Sequence, residues 1–161
     1  MSKVDLRIDW ATHDAAKYAC LNWHYSRSIP SASVKVGAWE NGRFVGVVIF
    51  GRGAASEIGS PYNLPQDQIC ELVRVALRDH QTATSRILSL ALKFLKRSNP
   101  GLRMVVSFAD TAQGHTVGYI KRADGYSKGR KNIIRFWCME KWCIRKRCIP
   151  NMGAAVSRSN G

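Results

Sequence analysis

A chain of 161 residues, 45% apolar and 22% charged, has the size and composition of one ordinary globular domain, with too much apolar mass for disorder. Its apolar runs are too short to cross a membrane and its opening MSKVDLRIDW has no apolar leader, so a cytosolic (cytoplasmic) chain with no membrane partner is expected. Lys and Arg number 25 against 11 Asp and Glu, a net charge of +14, and such a field attracts polyanions, nucleic acid above all.

Val4–Trp10 alternates apolar and charged residues and predicts a strand. Thr12 then caps a helix over His13–His24, with Ala15, Ala16, Ala19 and Trp23 at helical spacing. Ser26–Ser33 is a polar loop broken by Pro30. Val34–Trp39 and Arg43–Phe50 flank Asn41-Gly42, the pattern of a tight hairpin. Gly51–Gln68 has no clean period and is expected as a long loop. Ile69–Arg78 is apolar enough for a strand. Thr82 or Thr84 is placed to cap the next helix, Ser85–Ser98, whose Ile87, Leu88, Ala91, Leu92 and Leu95 form one apolar stripe; Asn99-Pro100-Gly101 stops it. Leu102–Ala109 is a buried strand ending at Asp110. The order predicts a mixed α/β domain, with a helix crossing between two parallel strands.

The last quarter is different. Residues 1–120 carry 14 basic and 9 acidic residues, net +5, whereas residues 121–161 carry 11 and 2, net +9. Lys121–Lys131 is charged and has no 3.6-residue apolar stripe, so it is a poor helix. Ile133–Ile144 is apolar enough for a strand or a helix, but Arg135, Glu140 and Lys141 break its alternation. The five cysteines, Cys20, Cys70, Cys138, Cys143 and Cys148, form no CxxC pair and read as free thiols.

Ligands of open α/β sheets bind beyond the carboxyl ends of parallel strands, and two such ends are visible. Leu77–Ser85 leads into a helix N-terminus, which can hold a phosphate or be an ordinary capped connection; it contains no glycine. Ser107–Thr111, followed by Gln113-Gly114-His115, sets Asp110 just past an apolar strand, as a general acid or base or as a helix cap. His24-Tyr25-Ser26 closes the first helix, either to complement its dipole or, with Arg27 and Ser28, to face a cleft. Arg74, between Val73 and Val75, is a hydrated strand residue or a buried anchor for a carboxylate or phosphate. Glu71, three residues earlier, is expected on the opposite strand face. No P-loop, GxGxxG, HExxH or metal-ligand spacing occurs.

His24-Tyr25-Ser26 with Ile29-Pro30, Ile49-Phe50-Gly51-Arg52-Gly53, Glu71–Val75, and Ser107–Thr111 with Gly114-His115 together resemble the Mom family of bacteriophage DNA-modification proteins, over roughly residues 15–116. The resemblance implies a fold like that of the GNAT acetyltransferases, a mixed sheet with flanking helices. It implies an enzyme that carbamoylmethylates the exocyclic amine of adenine in double-stranded DNA, protecting phage DNA from host restriction. It points to His24, Tyr25, Arg74 and Asp110 as catalytic positions. It also implies acetyl-CoA or a related acyl donor, held near Thr84 and Ser85, although the glycine-rich pyrophosphate loop of ordinary GNATs is missing at Leu77–Ser85. An adenine amine is a poor nucleophile inside a stacked duplex, so the base must be extruded. Asp110 or His24 would accept the proton, Tyr25 would orient base or donor, and Arg74 would anchor a phosphate or an acyl oxygen. Two other classes fit the composition: an N-acetyltransferase acting on protein or small-molecule amines, and a non-catalytic basic DNA-binding protein.

After Gly114-His115 the family pattern runs Gly-x-Ile-Tyr-Gln-Ala-x-x-Trp, whereas this chain reads Thr116-Val117-Gly118-Tyr119-Ile120-Lys121-Arg122-Ala123-Asp124-Gly125. Joining the last base of each codon to the first two of the next can spell Gly-Gly-Ile-Tyr-Gln-Ala-x-x-Trp. The chain is therefore expected to divide into a GNAT-like core, 1–116, and a basic segment, 117–161, translated out of frame and leaving the fold incomplete and the chain nearly inactive. The alternative is a genuine basic tail that binds DNA phosphates, with Trp137 and Trp142 stacking on bases.

Overall fold

The computed structural model describes residues 4–31, 34–52, 59–60, 63–109, 126–128 and 133–138. The elements are β1 (Leu6–Trp10), α1 (His13–Trp23), β2 (Val34–Glu40), β3 (Arg43–Gly51), β4 (Ile69–Leu77), α2 (Thr84–Ser98), β5 (Met104–Ala109), β6 (Tyr126–Lys128) and β7 (Ile133–Cys138), with a 3-10 turn at Gln66–Gln68. The strands form one sheet in the order β1-β2-β3-β4-β5-β7-β6. Only β4 and β5 run parallel, joined by α2 as the crossover; every other neighbouring pair is antiparallel. The mixed sheet with flanking helices is the one expected. Strands β6 and β7 fall within the segment set apart on composition, and β7 pairs with β5 from Met104↔Cys138 to Ala109↔Ile133. Among the described residues no helix is long and apolar enough to cross a membrane.

Local chemistry accounts for most boundaries. The Thr12 hydroxyl accepts the Ala15 N–H at 3.2 Å and starts α1. Asn41 and Gly42 have φ of 50° and 79°, the left-handed pair that a two-residue hairpin turn requires. The hydroxyl cap expected for α2 is not there. Ala83, which has no side-chain acceptor, occupies the N-cap, and the Thr82 N–H and hydroxyl before it are turned to Glu40.

Two apolar layers sandwich the sheet. On one face Val36, Ala38, Val48, Phe50, Leu72 and Val105 pack on the α2 stripe Ile87, Leu88, Ala91, Leu92 and Leu95. On the other, Ala16, Ala19 and Cys20 bring α1 close to Val47, Ile49 and Ala76. Each large aliphatic or aromatic side chain buried this way contributes about 1.5–3 kcal/mol.

Two bulges interrupt the strand period. In β3 the pairing slips beside Gly46, whose φ is +143° and where a Cβ would lie 2.1 Å from the Ala76 carbonyl oxygen. In β4, Ile49 pairs with Arg74 but Phe50 pairs with Leu72, so Val73 is the extra residue. That residue resets the alternation. Leu72 and Val75 both join the α2 layer, and Ala76 joins the α1 layer. Arg74 therefore faces α1, and Glu71, one residue before Leu72, shares that face. The expectation that Glu71 and Arg74 lie on opposite faces is corrected by the bulge.

The same place opens the sheet. Pairing of β4 with β5 runs from Ile69↔Met104 to Leu72↔Ser107 and stops, although β4 continues to Leu77. The two parallel strands part at the Val73 bulge, towards their carboxyl ends.

Candidate active site

Arg74 leaves β4 just after this parting. One guanidinium nitrogen lies 3.2 Å from His24 Nδ1 and another donates to Ser28 Oγ at 3.1 Å. The Ser26 N–H donates to the same His24 nitrogen at 3.2 Å, and Ser26 Oγ lies 2.8 Å from it. A guanidinium and a backbone N–H can only donate, so Nδ1 is an acceptor and the ring proton sits on Nε2. The Nε–H of Arg74 is buried with no partner among the described residues, a donor still to be used.

The local chain explains why these groups meet. His24 is the residue at which α1 stops, in extended conformation, and Arg27 follows with φ of 43°, its N–H bonded to the His24 carbonyl. This tight turn brings Ser26 and Ser28 back over the helix end. The Tyr25 ring lies against His24, centroids 4.3 Å apart and tilted by 31°, and is 52% exposed. Burial pushes the Cys20 thiol up, opposed by the nearby Arg74 charge, so Cys20 is a packing residue rather than a nucleophile. Cys70 is pushed up to about 12 by burial and by Glu71 beside it, and is equally unsuited to attack.

The second part of the site lies past the end of β4. The Glu40 carboxylate, 4% exposed, accepts the N–H groups of Gln81 at 2.8 Å and Thr82 at 2.7 Å, and the Thr82 hydroxyl as well. Burial alone would raise its pKa; these hydrogen bonds, aided by the His80 charge, outweigh it and hold the carboxyl below its ordinary range. His80 Nδ1–H donates to the Thr82 carbonyl at 2.7 Å. The backbone N–H groups of Thr84 and Ser85, the first two of α2, have no acceptor among the described residues. They stand at the positive end of a 15-residue helix.

Of the residues singled out from the sequence, His24, Tyr25 and Arg74 are thus gathered at one end of α1. Thr84 and Ser85 lie at the carboxyl end of the same strand, in a separate group. Asp110 lies outside the described residues; in the chain it directly follows Ala109, the last residue of β5. Ser28 and Glu40 were not assigned contacts from the sequence. Ser28 sits in a polar loop, and Glu40 beside a hairpin turn looks like any solvated acid, so neither carries a local signal.

The model of the Mom protein family matches residues 5–152. The chain belongs to that family. A search of curated proteins finds no match. Among solved structures, this Mom-family chain is similar to an aminoglycoside acetyltransferase, AAC(6')-Ib, solved with coenzyme A and kanamycin; the TM-score is 0.61 at 14% identity, over 84% of this chain and 95% of that one. It is similar to a putative GNAT-family acetyltransferase from Desulfovibrio desulfuricans, with TM-score 0.54, 14% identity and coverage of 84% and 99%. The GNAT domain of S. lividans PAT matches at TM-score 0.58 and 15% identity, over 83% and 90% of the two chains. The fold of this Mom-family chain is therefore GNAT-like.

Proposed function

We propose that this protein is a transferase that modifies the exocyclic amine of adenine in double-stranded DNA with a carbamoylmethyl-type group, using a donor of the acyl-CoA class. The observation that carries the reading is the parting of β4 and β5 at Val73, with the Arg74–His24 pair beside the opening and an uncapped helix N-terminus at the same strand end. The Thr84 and Ser85 N–H groups would hold the donor's diphosphate, the arrangement that favours anions at helix N-termini. That assignment is supported by the coenzyme A in a solved structure of the same fold. Arg74, with its buried Nε–H and fixed charge, stabilises negative charge that develops on the donor's acyl oxygen or anchors a phosphate.

The substrate side follows from the remaining groups. Net charge +14 favours a duplex, and the exposed Tyr25 ring offers a stacking surface for an extruded base. His24, held in place by Arg74 and the Ser26 N–H, orients the substrate. As adenine N6 bonds to the transferred carbon, the bond from that carbon to the donor breaks, its electron pair leaves with the donor, and Asp110 accepts the amine proton.

Mass spectrometry of nucleosides from cells expressing the chain with its reading frame restored tests this. Modified adenine is expected with the intact site and none with Arg74→Ala or Asp110→Ala. Unmodified DNA alongside acetylated protein or small-molecule amines would make the protein an ordinary N-acetyltransferase. Salt-dependent DNA binding without turnover, unchanged by Asp110→Ala, would make it a DNA-binding protein.

A further inference from the structure

The loop between β4 and α2, Arg78–Ala83, has no glycine, yet it leads into the helix end assigned above to the donor's diphosphate. A glycine-rich loop serves such a site by letting the main chain turn tightly and aim its N–H groups. Here the tight turning is done differently. Asp79 takes φ of 50°, and its carbonyl is held by the Arg43 guanidinium. Two residues on, the N–H groups of Gln81 and Thr82 both donate to the Glu40 carboxylate.

We infer that Glu40 is a positioning residue for donor binding, a buried carboxylate that fixes the β4–α2 loop where related folds use glycines. The role rests on the donor assignment proposed above. The carboxylate receives three donors and makes no ion pair among the described residues, so its charge is met by the loop itself. The Thr82 peptide is gripped on every side: its N–H and hydroxyl by Glu40, its carbonyl by His80. Ala83 follows at once as the N-cap, so the direction of the Thr84 and Ser85 N–H groups is set by the Thr82 peptide. With Glu40 gone, Gln81 and Thr82 must find other acceptors, and the first turn of α2 loses its fixed aim. Glu40 touches no reacting atom; it acts through the loop.

The test uses the full chain and two probes, coenzyme A and pantetheine, which shares the thiol arm but lacks the diphosphate. Dissociation constants are read from amide-shift titrations for the wild type, Glu40→Gln, Glu40→Asp and Thr82→Val. Gln offers one acceptor where two N–H groups need one each, and Asp is one methylene too short to span both. For either, coenzyme A should bind about tenfold or more weakly, while pantetheine changes by less than about twofold. Thr82→Val keeps both N–H donors and loses only the hydroxyl, so about threefold is expected for coenzyme A. Should Glu40→Gln fail to fold, Glu40→Asp and Thr82→Val carry the comparison. Unchanged coenzyme A affinity in the folded variants, or an equal loss for both probes, overturns the positioning role. A wild type that binds neither probe, or coenzyme A no better than pantetheine, overturns the donor assignment itself and this role with it.

Discussion

Arg74→Met separates a structural role for this residue from a functional one. The change keeps an unbranched, apolar stem of similar length and removes the charged head. It deletes the hydrogen bonds to His24 Nδ1 and Ser28 Oγ, each worth about 1.5–3 kcal/mol as a bond from a charged donor. Set against them is the removal of a largely buried cation and of an Nε–H that is buried without a partner, and the desolvation relieved is several kcal/mol. Met also packs against the apolar α1 layer formed by Cys20, Ile49 and Ala76. The opposing effects nearly cancel, so the net change in stability should be within about 2 kcal/mol, a shift in melting temperature of under about 8 °C for a chain this size. Adenine modification should instead fall by about 100-fold or more, the usual effect of removing a positioned electrostatic group. Thermal unfolding and nucleoside mass spectrometry read both, with Arg74→Met and its parent compared in the chain whose reading frame is restored. A melting temperature lowered by well over 10 °C, or activity equal to the wild type, refutes the reasoning.

The remaining predictions each rest on one local arrangement. His24 should show, by nitrogen-15 NMR, a neutral ring with the proton on Nε2; in Arg74→Met a second tautomer should emerge, and an Nδ1–H ring in the wild type would contradict the hydrogen-bond assignment. Glu40 has a folded pKa below its ordinary 4.5, so its contribution to stability is complete above that value and is lost as pH falls through the lower, folded value. Acid unfolding of Glu40→Gln should accordingly lack that component below about pH 4.5, and an acid limb of wild-type steepness in the variant would refute it. Gly46→Ala must fit a Cβ 2.1 Å from the Ala76 carbonyl oxygen and 2.8 Å from Leu77 Cα, both backbone atoms, at φ of +143°. A loss of about 3 kcal/mol or more is expected in denaturant titration, and a loss below about 1 kcal/mol would mean that the bulge moves freely.

The helices, the hairpin and the succession of elements along the chain up to β5 were legible because period, Asn41-Gly42 and Asn99-Pro100-Gly101 are local signals. The bulges were not. In Ile69–Leu77 apolar residues occupy both faces, so an extra residue at Val73 leaves no mark on the hydrophobic pattern, yet it decides which face Arg74 and Glu71 share. Arg74 itself was conspicuous as a cation inside an apolar strand, and His24 as the end of a helix. That they meet across 50 residues is a fact of topology that no local pattern carries. Glu40 was invisible for the same reason: its partners lie 41 and 42 residues further along the chain.

The basic tail divides two accounts of this gene. For the written frame stand the family match, which runs on to residue 152, and β7, which pairs with β5 over six residues. For a shifted frame stand the motif recovered out of register and the concentration of 11 basic against 2 acidic residues in positions 121–161. The strand does not discriminate strongly, because ladder pairing requires backbone N–H and C=O groups and an apolar stretch such as Ile133–Cys138 satisfies it in either case. The side chains between Gly118 and Gly125 do discriminate. The written frame places Tyr119-Ile120-Lys121-Arg122 where the shifted one spells Ile-Tyr-Gln-Ala, so the Tyr of that stretch is lost and charged groups replace uncharged ones. We predict a one-base displacement near codon 117 in the gene. Restoring the frame should raise the melting temperature and increase adenine modification by about 100-fold or more, the scale of regaining a positioned group at a site. If the written chain modifies adenine as well as the restored one, the tail is native. Its net charge of +9 is then a phosphate-binding surface. Neutralising its Lys and Arg residues should flatten the salt dependence of DNA binding by about 0.9 in log–log slope for each phosphate that no longer meets a cation.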